Sequence, residues 1–432
     1  MMLYQAQKVD TMKSNPIDVI TPAFYKEFEC AADQCPDHCC HSWSVDVDKK
    51  TFKNLKKSNV IVIKNLANEH LKLTRKSLEN WGSIQMLSDG NCPFLDESKL
   101  CQIHKHSGHQ ALSNICKSYP RALFWFGDHV EASLSLSCPS AAKNILFNNS
   151  AMMFEAVQQP EHKISNDILG GYLHNALPAW MPILRDSCFN ILLFDAISIE
   201  ERLFSIGMLL KQSEQHLETP ARLEQLISTV EEMITDGSLS KMYLDLPNND
   251  ELKWRVFIHQ DKKLEQETAM FGDTIENLTL STSGQRFDVC RQAVIEQFNQ
   301  RMKAEKENSA QNQIFANMLK EAKPILDDYF SNKPQVLTNY LLYYFYHNQF
   351  LYSSGKTPFQ FFRILCVDLF NLKAYLSAMA LKDNRLTDDS VLLLFQSYAR
   401  RRQHEANFIE NMEHQLETTG TQSAGAIFGL LK

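Results

Sequence analysis

Glycine is scarce in this chain, with 14 in 432 residues. None falls in a G-x-G-x-x-G pattern, and Gly170-Gly171 reads as part of a helical context, so a doubly wound nucleotide-binding domain is not supported. Excess positive charge is also lacking. The formal net charge is -7, which argues against nucleic acid or an anionic membrane as partner. Long apolar runs are missing. Tyr340 to Tyr352 is interrupted by His347, Asn348 and Gln349, and Phe361 to Leu372 by Arg363 and Asp368, short of the roughly 18 residues a membrane span needs. The opening MMLYQAQKVDTMKSNP has no basic start, apolar run and cleavage site in sequence. These absences lead us to expect a cytoplasmic, reducing setting, where clustered cysteines bind metal or do redox work more often than they form disulfides.

The composition is otherwise that of an ordinary globular protein, 44% hydrophobic and 22% charged. The length predicts two to three domains and a core large enough to need no covalent staple. Cysteine is unevenly placed. Of 11, eight lie in the first 138 residues: Cys30, Cys35, Cys39, Cys40, Cys92, Cys101, Cys116 and Cys138. The others, Cys188, Cys290 and Cys366, stand singly in apolar surroundings and are expected to pack as small hydrophobes.

The chain divides into two styles. Residues 81–138 read as short strands and turns: SIQML (83–87) as a strand, Asp89-Gly90 as a turn, and CQIH (101–104) as a strand pairing back across DESK. GHQALSNICKSYP (108–120) reads as one short helix stopped by Pro120. ALFWF and VEASLSLS around Gly127-Asp128-His129 read as a hairpin. In its second arm Val130, Ala132, Leu134 and Leu136 alternate with Glu131, Ser133, Ser135 and Ser137, the pattern of a half-buried strand. Asp46 and Asp48 read as a solvated strand face, and Trp43 as core beside the cysteines. After about residue 140 the period becomes helical. Ser198 with Glu201 predicts a capping box. Thr219-Pro220, and Pro334, mark helix starts. DDSVLLLFQSYARRRQHEANFIENMEHQL predicts one long helix with Arg400, Arg401 and Arg402 on a solvated face, and RMKAEKENSAQNQ (301–313) an exposed helix surface or linker. The expected fold is α+β and predominantly helical: a cysteine-rich module over 20–148 with short strands and a β-hairpin, then a mainly α-helical domain over 149–432 with the substrate-binding part.

The cysteine order is Cys30-x4-Cys35-x3-Cys39-Cys40, then Cys92-x8-Cys101-x14-Cys116-x21-Cys138. Four thiolates complete either a tetrahedral zinc or a four-iron cluster. The later cysteines fall at element edges, where a fold can aim several ligands at one centre. There is no pair of C-x2-C knuckles as in a zinc ribbon and no C-x3-C-x2-C radical-enzyme signature. Iron–sulfur, zinc and plain structural thiols all remain open, with His38, His41, His104, His106 and His109 as additional donors or neighbours.

TPAFYKEFEC, CPDHCCHSWSVDVDKKTF, DGNCPFLDESKLCQIH, GHQALSNICKSYPR and ASLSLSCPSAAKNIL together resemble the flagellin lysine N-methylase family, with TNYLLYYFYHNQF as a looser match further on. The resemblance is specific over residues 20–148. It implies an S-adenosylmethionine-dependent protein-lysine methyltransferase acting on flagellin, with a four-iron, four-sulfur cluster and the eight N-terminal cysteines as its candidate ligands. Zinc is the alternative metal. A metal-handling or zinc-stapled interaction protein is the alternative function. One departure is Ser42 before Trp43, where the family often has glycine. A lysine methylase must admit a long side chain and present a neutral amine. Asn339, Tyr340, Tyr343 and Tyr344, followed by Tyr346, are candidates for an aromatic channel, although aromatics at helical spacing also pack cores. Arg121 and Tyr119, on either side of Pro120, are candidates for binding the methyl donor, Arg121 through the donor's carboxylate or else in a structural salt bridge. No residue of the sequence marks itself as the proton acceptor.

Overall fold

The structure is a computed structural model. It describes all residues except 1–15, 42–44, 165–166, 174, 262–263, 266–284, 305–309 and 405–406. Trp43 and the centre of the 301–313 stretch lie outside the described residues.

Among the described residues, eight strands form two sheets. The larger has the order β7-β1-β6-β5-β8, from β1 (Pro16–Pro22), β5 (Arg121–Gly127), β6 (His129–Leu134), β7 (Phe154–Pro160) and β8 (Ile168–Leu173). β5 and β6 are the expected hairpin, turning at Gly127 with φ 69°. β1 runs parallel to β6 and β8 parallel to β5. The smaller sheet is antiparallel, β2-β4-β3, from Val45–Val47, Gly82–Ile84 and Leu71–Leu73. The helices used below are, in chain order, α1 (Lys49–Lys56), α2 (Ile61–His70), α3 (Asn114–Ser118), α4 (Pro139–Phe147), α5 (Trp180–Leu193), α6 (Ile199–Ser213), α7 (Pro220–Thr235), α8 (Asp250–His259), α9 (Gln285–Ala304), α10 (Gln311–Asn332), α11 (Gln335–Asn348), α12 (Pro358–Asp383), α13 (Asp388–His404) and α14 (Phe408–Thr418). The α+β, mainly helical architecture matches the expectation.

Among the described residues two main cores carry the fold, with a third, smaller cluster of Val19, Leu123, Val130, Ala132 and Ile164 on the large sheet. The small one gathers Val45, Val47, Phe52, Ile63 and Phe94 between the small sheet, α1 and α2. The large one runs from Phe24 to Leu431 and takes the buried faces of α5, α6 and α13 and most of α11 and α12. At its centre lies α12, begun by a capping box of Thr357 and Gln360. By length and composition α12 could cross a membrane, but 89% of its most apolar window is buried inside the protein, so it is a core helix. Cys188, Cys290 and Cys366 are buried in this core as expected. Gly207 on α6 permits a close helix approach: a Cβ there would lie 2.5 Å from Phe362.

Several local readings are corrected. Cys101 bridges to Leu95, but Gln102–Ser107 is helical, not strand. Residues 108–120 form two short turns, His109–Ala111 and α3, with Leu112 and Ser113 extended between them. The strand read at 83–87 shrinks to Gly82–Ile84. Gly170 and Gly171 sit in β8. The backbone of Trp125 passes so close that a Cβ on Gly171 would meet its carbonyl oxygen at 2.2 Å, and φ there is 97°. Asp48 faces no solvent strand; it caps α1 by accepting from the amides of Lys50 and Thr51. The Ser198–Glu201 box is present. Thr219 occupies the N-cap of α7 without a side-chain bond, and Pro334 is the N-cap of α11 rather than its first residue. The boundary drawn at residue 148 falls inside the large sheet, because β7 and β8 follow it and pair with β1 and β5.

The largest correction concerns β6. Its polar face is buried too: Glu131, Ser133 and Ser137 are as inaccessible as Val130 and Leu134. The helices cover that face and supply partners. Arg185 of α5 makes a bidentate pair with Glu131 at 2.8 and 2.9 Å, the geometry a guanidinium suits best. Ser133 Oγ lies 2.8 Å from His347 Nδ1.

The predicted long C-terminal helix is two. α13 and α14 are separated near Asn407, whose φ is 59°. Arg400, Arg401 and Arg402 are not solvated. Successive helical residues turn about 100° apart, so the three point in different directions. Arg402 reaches Asp368 at 3.2 Å and donates to Tyr344 Oη at 2.8 Å. Arg401 reaches Asp261 at 3.2 Å, which also accepts from Arg291 and Tyr375 at 2.6 and 2.8 Å. Arg400 leaves the core for the cysteine module.

Asp368 is fully buried and also accepts from Tyr344 and Tyr398, each at 2.8 Å. Removing its cation strands a buried carboxylate. Arg402→Met should therefore cost about 3–5 kcal/mol, read as a lower urea midpoint, and Asp368→Asn in that background should recover part of it. Burial and the charge of Arg402 hold His347 down to about 4, against an unfolded value near 6.5. Its contribution is complete above about pH 6.5 and is lost as pH falls through about 4. His347→Gln should flatten the acid limb of a stability–pH curve between those values, by at most about 3 kcal/mol.

Candidate metal centre and its seam with the helical body

The eight N-terminal cysteines lie in one region but in two settings. Cys92 belongs to the small core, and Cys40, Cys101 and Cys116 are half-buried against it. The amide of Cys92 donates to the carbonyl of Cys40 at 2.9 Å, beside the bridge between His41 and Asn91. The Leu95–Cys101 bridge and the bond from Gln102 N to Phe94 O, 2.8 Å, fold Cys101 back toward Cys92. α3 brings Cys116. Cys138 lies instead in the large core, at the N-cap of α4. It is within electrostatic reach of Cys30 and Cys35. Cys39 is hydrogen-bonded through its sulfur to the Cys40 thiol and lies within electrostatic reach of Cys35 as well as of Cys92, Cys101 and Cys116.

All eight are free thiols, and most are hard to ionise as they stand. Burial pushes Cys92 and Cys138 up to about 12 and Cys116 to about 11, with neighbouring thiolates adding to the effect. Burial also raises Cys35 and Cys101. Cys39 is the exception. The thiol of Cys40 donates to it, and with help from Arg400 its value falls to about 7, while Cys40 keeps its proton. A bound cation would reverse this balance, since coordinated thiols deprotonate. Among the described residues, no three His, Cys, Asp or Glu side chains already close on a common point. The donor set itself, all soft sulfur with histidine nearby, fits zinc or iron–sulfur rather than a hard cation. His38 adds a buried Nδ1 without a partner. His41 is tied to the carbonyl of Asp89 at 3.2 Å.

The seam with the helical body is built on Asp37, between Cys35 and Cys39. Arg400 pairs with its carboxylate and donates to the carbonyl of His41 at 2.8 Å. One turn earlier on α13, Gln396 donates to Asp37 at 2.7 Å and to the carbonyl of Ser137 at 2.8 Å. α13 therefore grips both the CPDHCC loop and the residue before Cys138. Arg286 of α9 adds a bond to the carbonyl of Pro36 at 3.5 Å. The sequence reading missed Asp37, Gln396, Arg400 and Arg286. The available signal was three adjacent arginines in an apolar helix, which cannot share one solvent face.

The other candidates are placed as follows. Tyr119 is half-buried. Its hydroxyl lies 3.0 Å from Ser137 Oγ, and burial and the nearby Cys138 raise its pKa. Arg121 is exposed, with its guanidinium 4.9 Å from the ring centre of Phe28 and 5.9 Å from that of Tyr25. Asn339, Tyr340, Tyr343 and Tyr344 are all buried on α11. Tyr343 Oη joins the carbonyl of Leu134 and the amide of Leu136, at 2.9 and 3.2 Å. Asn339 donates to the carbonyl of Asn148 at 2.9 Å. These polar atoms tie α11 to the segments that follow the hairpin and α4.

Comparison with known proteins fits this two-part geometry. Residues 29–140 match a domain described as zinc- or iron-chelating. Residues 185–430 match the FliB lysine N-methylase C-terminal domain. Together they define a metal-binding protein-lysine N-methyltransferase. Lysine-N-methylases of Salmonella choleraesuis and Salmonella typhimurium are each 25% identical over 410 residues, 94% of this chain and 96% of theirs. The flagellar biosynthetic protein FliU of Salmonella muenchen is 41% identical over 137 residues, 32% of this chain and 81% of its own. No solved structure matches. The chain belongs to the FliB lysine N-methylase family.

Loss of the Asp37–Arg400 pair should loosen the loop without unfolding the body. Arg400→Met removes a charge-assisted contact worth about 1.5–3 kcal/mol. Metal release to a chelator should then be about tenfold or more faster, with the far-ultraviolet spectrum unchanged. Equal release rates would show that the seam does not support the metal loop.

Proposed function

We propose that this enzyme methylates surface lysines of flagellin in the bacterial cytoplasm, with S-adenosylmethionine as donor and a four-iron, four-sulfur cluster in the cysteine module. Support comes from the family, from the flagellar name of one relative, and from the all-thiol donor set. The observation that carries the reading is the Asp37–Arg400 contact. It fastens the loop between two candidate ligands to the lysine N-methylase body, so the metal module is built into the enzyme.

S-adenosylmethionine supplies the methyl group from its sulfonium. When bound, it would give that methyl to lysine Nζ and leave as the thioether. The amine must first lose a proton, against a free pKa near about 10.4. Arg121 is our candidate for the donor's carboxylate. It is exposed at the start of β5, and the adjoining rings of Phe28 and Tyr25 hold the guanidinium plane without consuming its donors. Tyr119, bonded to Ser137, fixes the turn that presents it.

Anaerobically purified enzyme, labelled S-adenosylmethionine and purified flagellin should give label on flagellin lysines; label absent there but present on another protein would reject this substrate. Arg121→Ala should raise the donor KM about tenfold or more, the scale of one charge-assisted bond, and leave the flagellin KM unchanged. A fall in kcat with both KM values intact would remove Arg121 from the donor site.

A further inference from the structure

We propose that residues 49–76 form a docking surface, separate from the metal and donor sites, for an acidic face of the protein substrate. It builds on the lysine-methylation reading above, since the partner is the protein that is methylated.

The overall negative charge hides a local excess of the opposite sign. Residues 49–76 carry eight lysines, one arginine and a single acid, Glu69. That stretch is +8, so the rest of the chain carries -15 against a total of -7. Two of the lysines are used locally: Lys49 lies 4.3 Å from the ring centre of Trp81, and Lys56 lies 5.1 Å from that of Phe52. Lys50, Lys53, Lys57, Lys64, Lys72 and Lys76 are exposed. Among the described residues none of these six has an ion pair.

The fold sets these charges side by side. α1 turns Thr51, Phe52 and Leu55 inward, which at about 100° per residue leaves Lys50, Lys53 and Lys57 on the opposite stripe. α2 packs beside α1 and brings Lys64. The amide of Lys49 donates to the carbonyl of Leu78 at 2.9 Å, which lays the loop after β3, with Lys76, against the start of α1. Apolar side chains stand among the charges: Ile61, Leu73 and Leu78 are 75%, 46% and 60% exposed. Lys49 and Lys50 also occupy the first turn of α1, the end where a helix favours acids. Lys53 has a like charge four residues away on either side, at Lys49 and Lys57. Neither arrangement stabilises the module, and an acidic partner would relieve both.

The chemistry favours a protein over other polyanions. Phe52 is buried and Trp81 is covered by Lys49, so neither ring is open for a nucleobase to stack on. The apolar side of α1 is turned into the small core, so that helix has no apolar face left to sink into lipid. Aliphatic spots ringed by charge on folded elements match the apolar centre and charged rim of a protein interface. The Asp37–Arg400 pair fastens the module to the lysine N-methylase body, so a substrate held on α1 and α2 is held at a set position relative to that body.

The test compares wild type with a full-length variant carrying Lys50→Glu, Lys53→Glu and Lys57→Glu, none of which belongs to the metal or donor sites. The KM for purified flagellin should rise about fivefold or more, with kcat and the donor KM unchanged. The gap should narrow as salt rises from about 0.05 to about 0.5 M, because screening removes the attraction. Should that variant misfold, Lys64→Gln with Lys72→Gln and Lys76→Gln is read instead, with a rise in the same direction expected. Equal flagellin KM values at low salt overturn the proposal and leave flagellin as the substrate. If wild type puts no label on flagellin, the flagellin reading falls, and the comparison moves to the protein that is labelled in a lysate of flagellated cells. Slower, salt-sensitive labelling by the variants then supports the docking surface, and equal labelling overturns it. Label on no protein at all overturns both. Binding to phosphatidylglycerol vesicles or single-stranded RNA that the variants lose, with the KM for the protein substrate unchanged, assigns the surface to that polyanion and overturns the proposal.

Discussion

Three consecutive arginines organise this protein. Arg400, Arg401 and Arg402 leave α13 in three directions and end on three carboxylates: Asp37 in the metal loop, Asp261 after α8, and Asp368 at the centre of α12. A buried guanidinium is tolerated only where its charge and donors are satisfied, so each arginine fixes the position of the segment it meets. Asp368 in turn aligns Tyr344 and Tyr398, which sets α11 against α12. Asp261 gathers Arg291 and Tyr375, which sets α9 against α12. One helix thereby ties the methylase core to the metal module, with the third contact carrying the tie across.

The same economy explains β6. A strand with serine and glutamate on alternate positions looks half-exposed, and that reading fails only because a distant element covers the polar face. Glu131 is answered by Arg185 and Ser133 by His347, partners 54 and 214 positions away. Nothing local to VEASLSLS signals them. By contrast, features fixed by near neighbours were legible: the hairpin at Gly127, the Ser198 capping box, the buried single cysteines, and the change from a cysteine-rich start to helical period. The metal module was legible as composition and as family likeness. Its division into two settings was not, because that depends on which core each cysteine joins. The Arg triplet falls between these cases. Its spacing around a helix rules out a common solvent face, and the apolar residues before it already implied burial.

The aromatic stripe on α11 shows how a chemically suggestive pattern can be spent on architecture. Tyr343 closes the gap after β6 by bonding both Leu134 and Leu136. Tyr346 reaches the carbonyls of Ile20 and Ala132 at 3.3 and 3.2 Å, where β1 and β6 run side by side. These hydroxyls satisfy main-chain groups that the large core would otherwise strand. The sheet, which contains segments from both sides of the expected domain boundary, is thus continuous with the lysine N-methylase body.

The order in which the ribosome delivers these parts adds a dimension of time. Asp37 and Arg400 are separated by 363 positions, and at about 5–20 residues per second the loop waits on the order of 20–70 s before its clasp is made. The last of the eight clustered cysteines, Cys138, is synthesised long before α13. During that interval the loop between Cys35 and Cys39 lacks its Arg400 partner. Arrival of Arg400 then makes the clasp, so the fastening of this early loop waits on the C-terminal half of the chain.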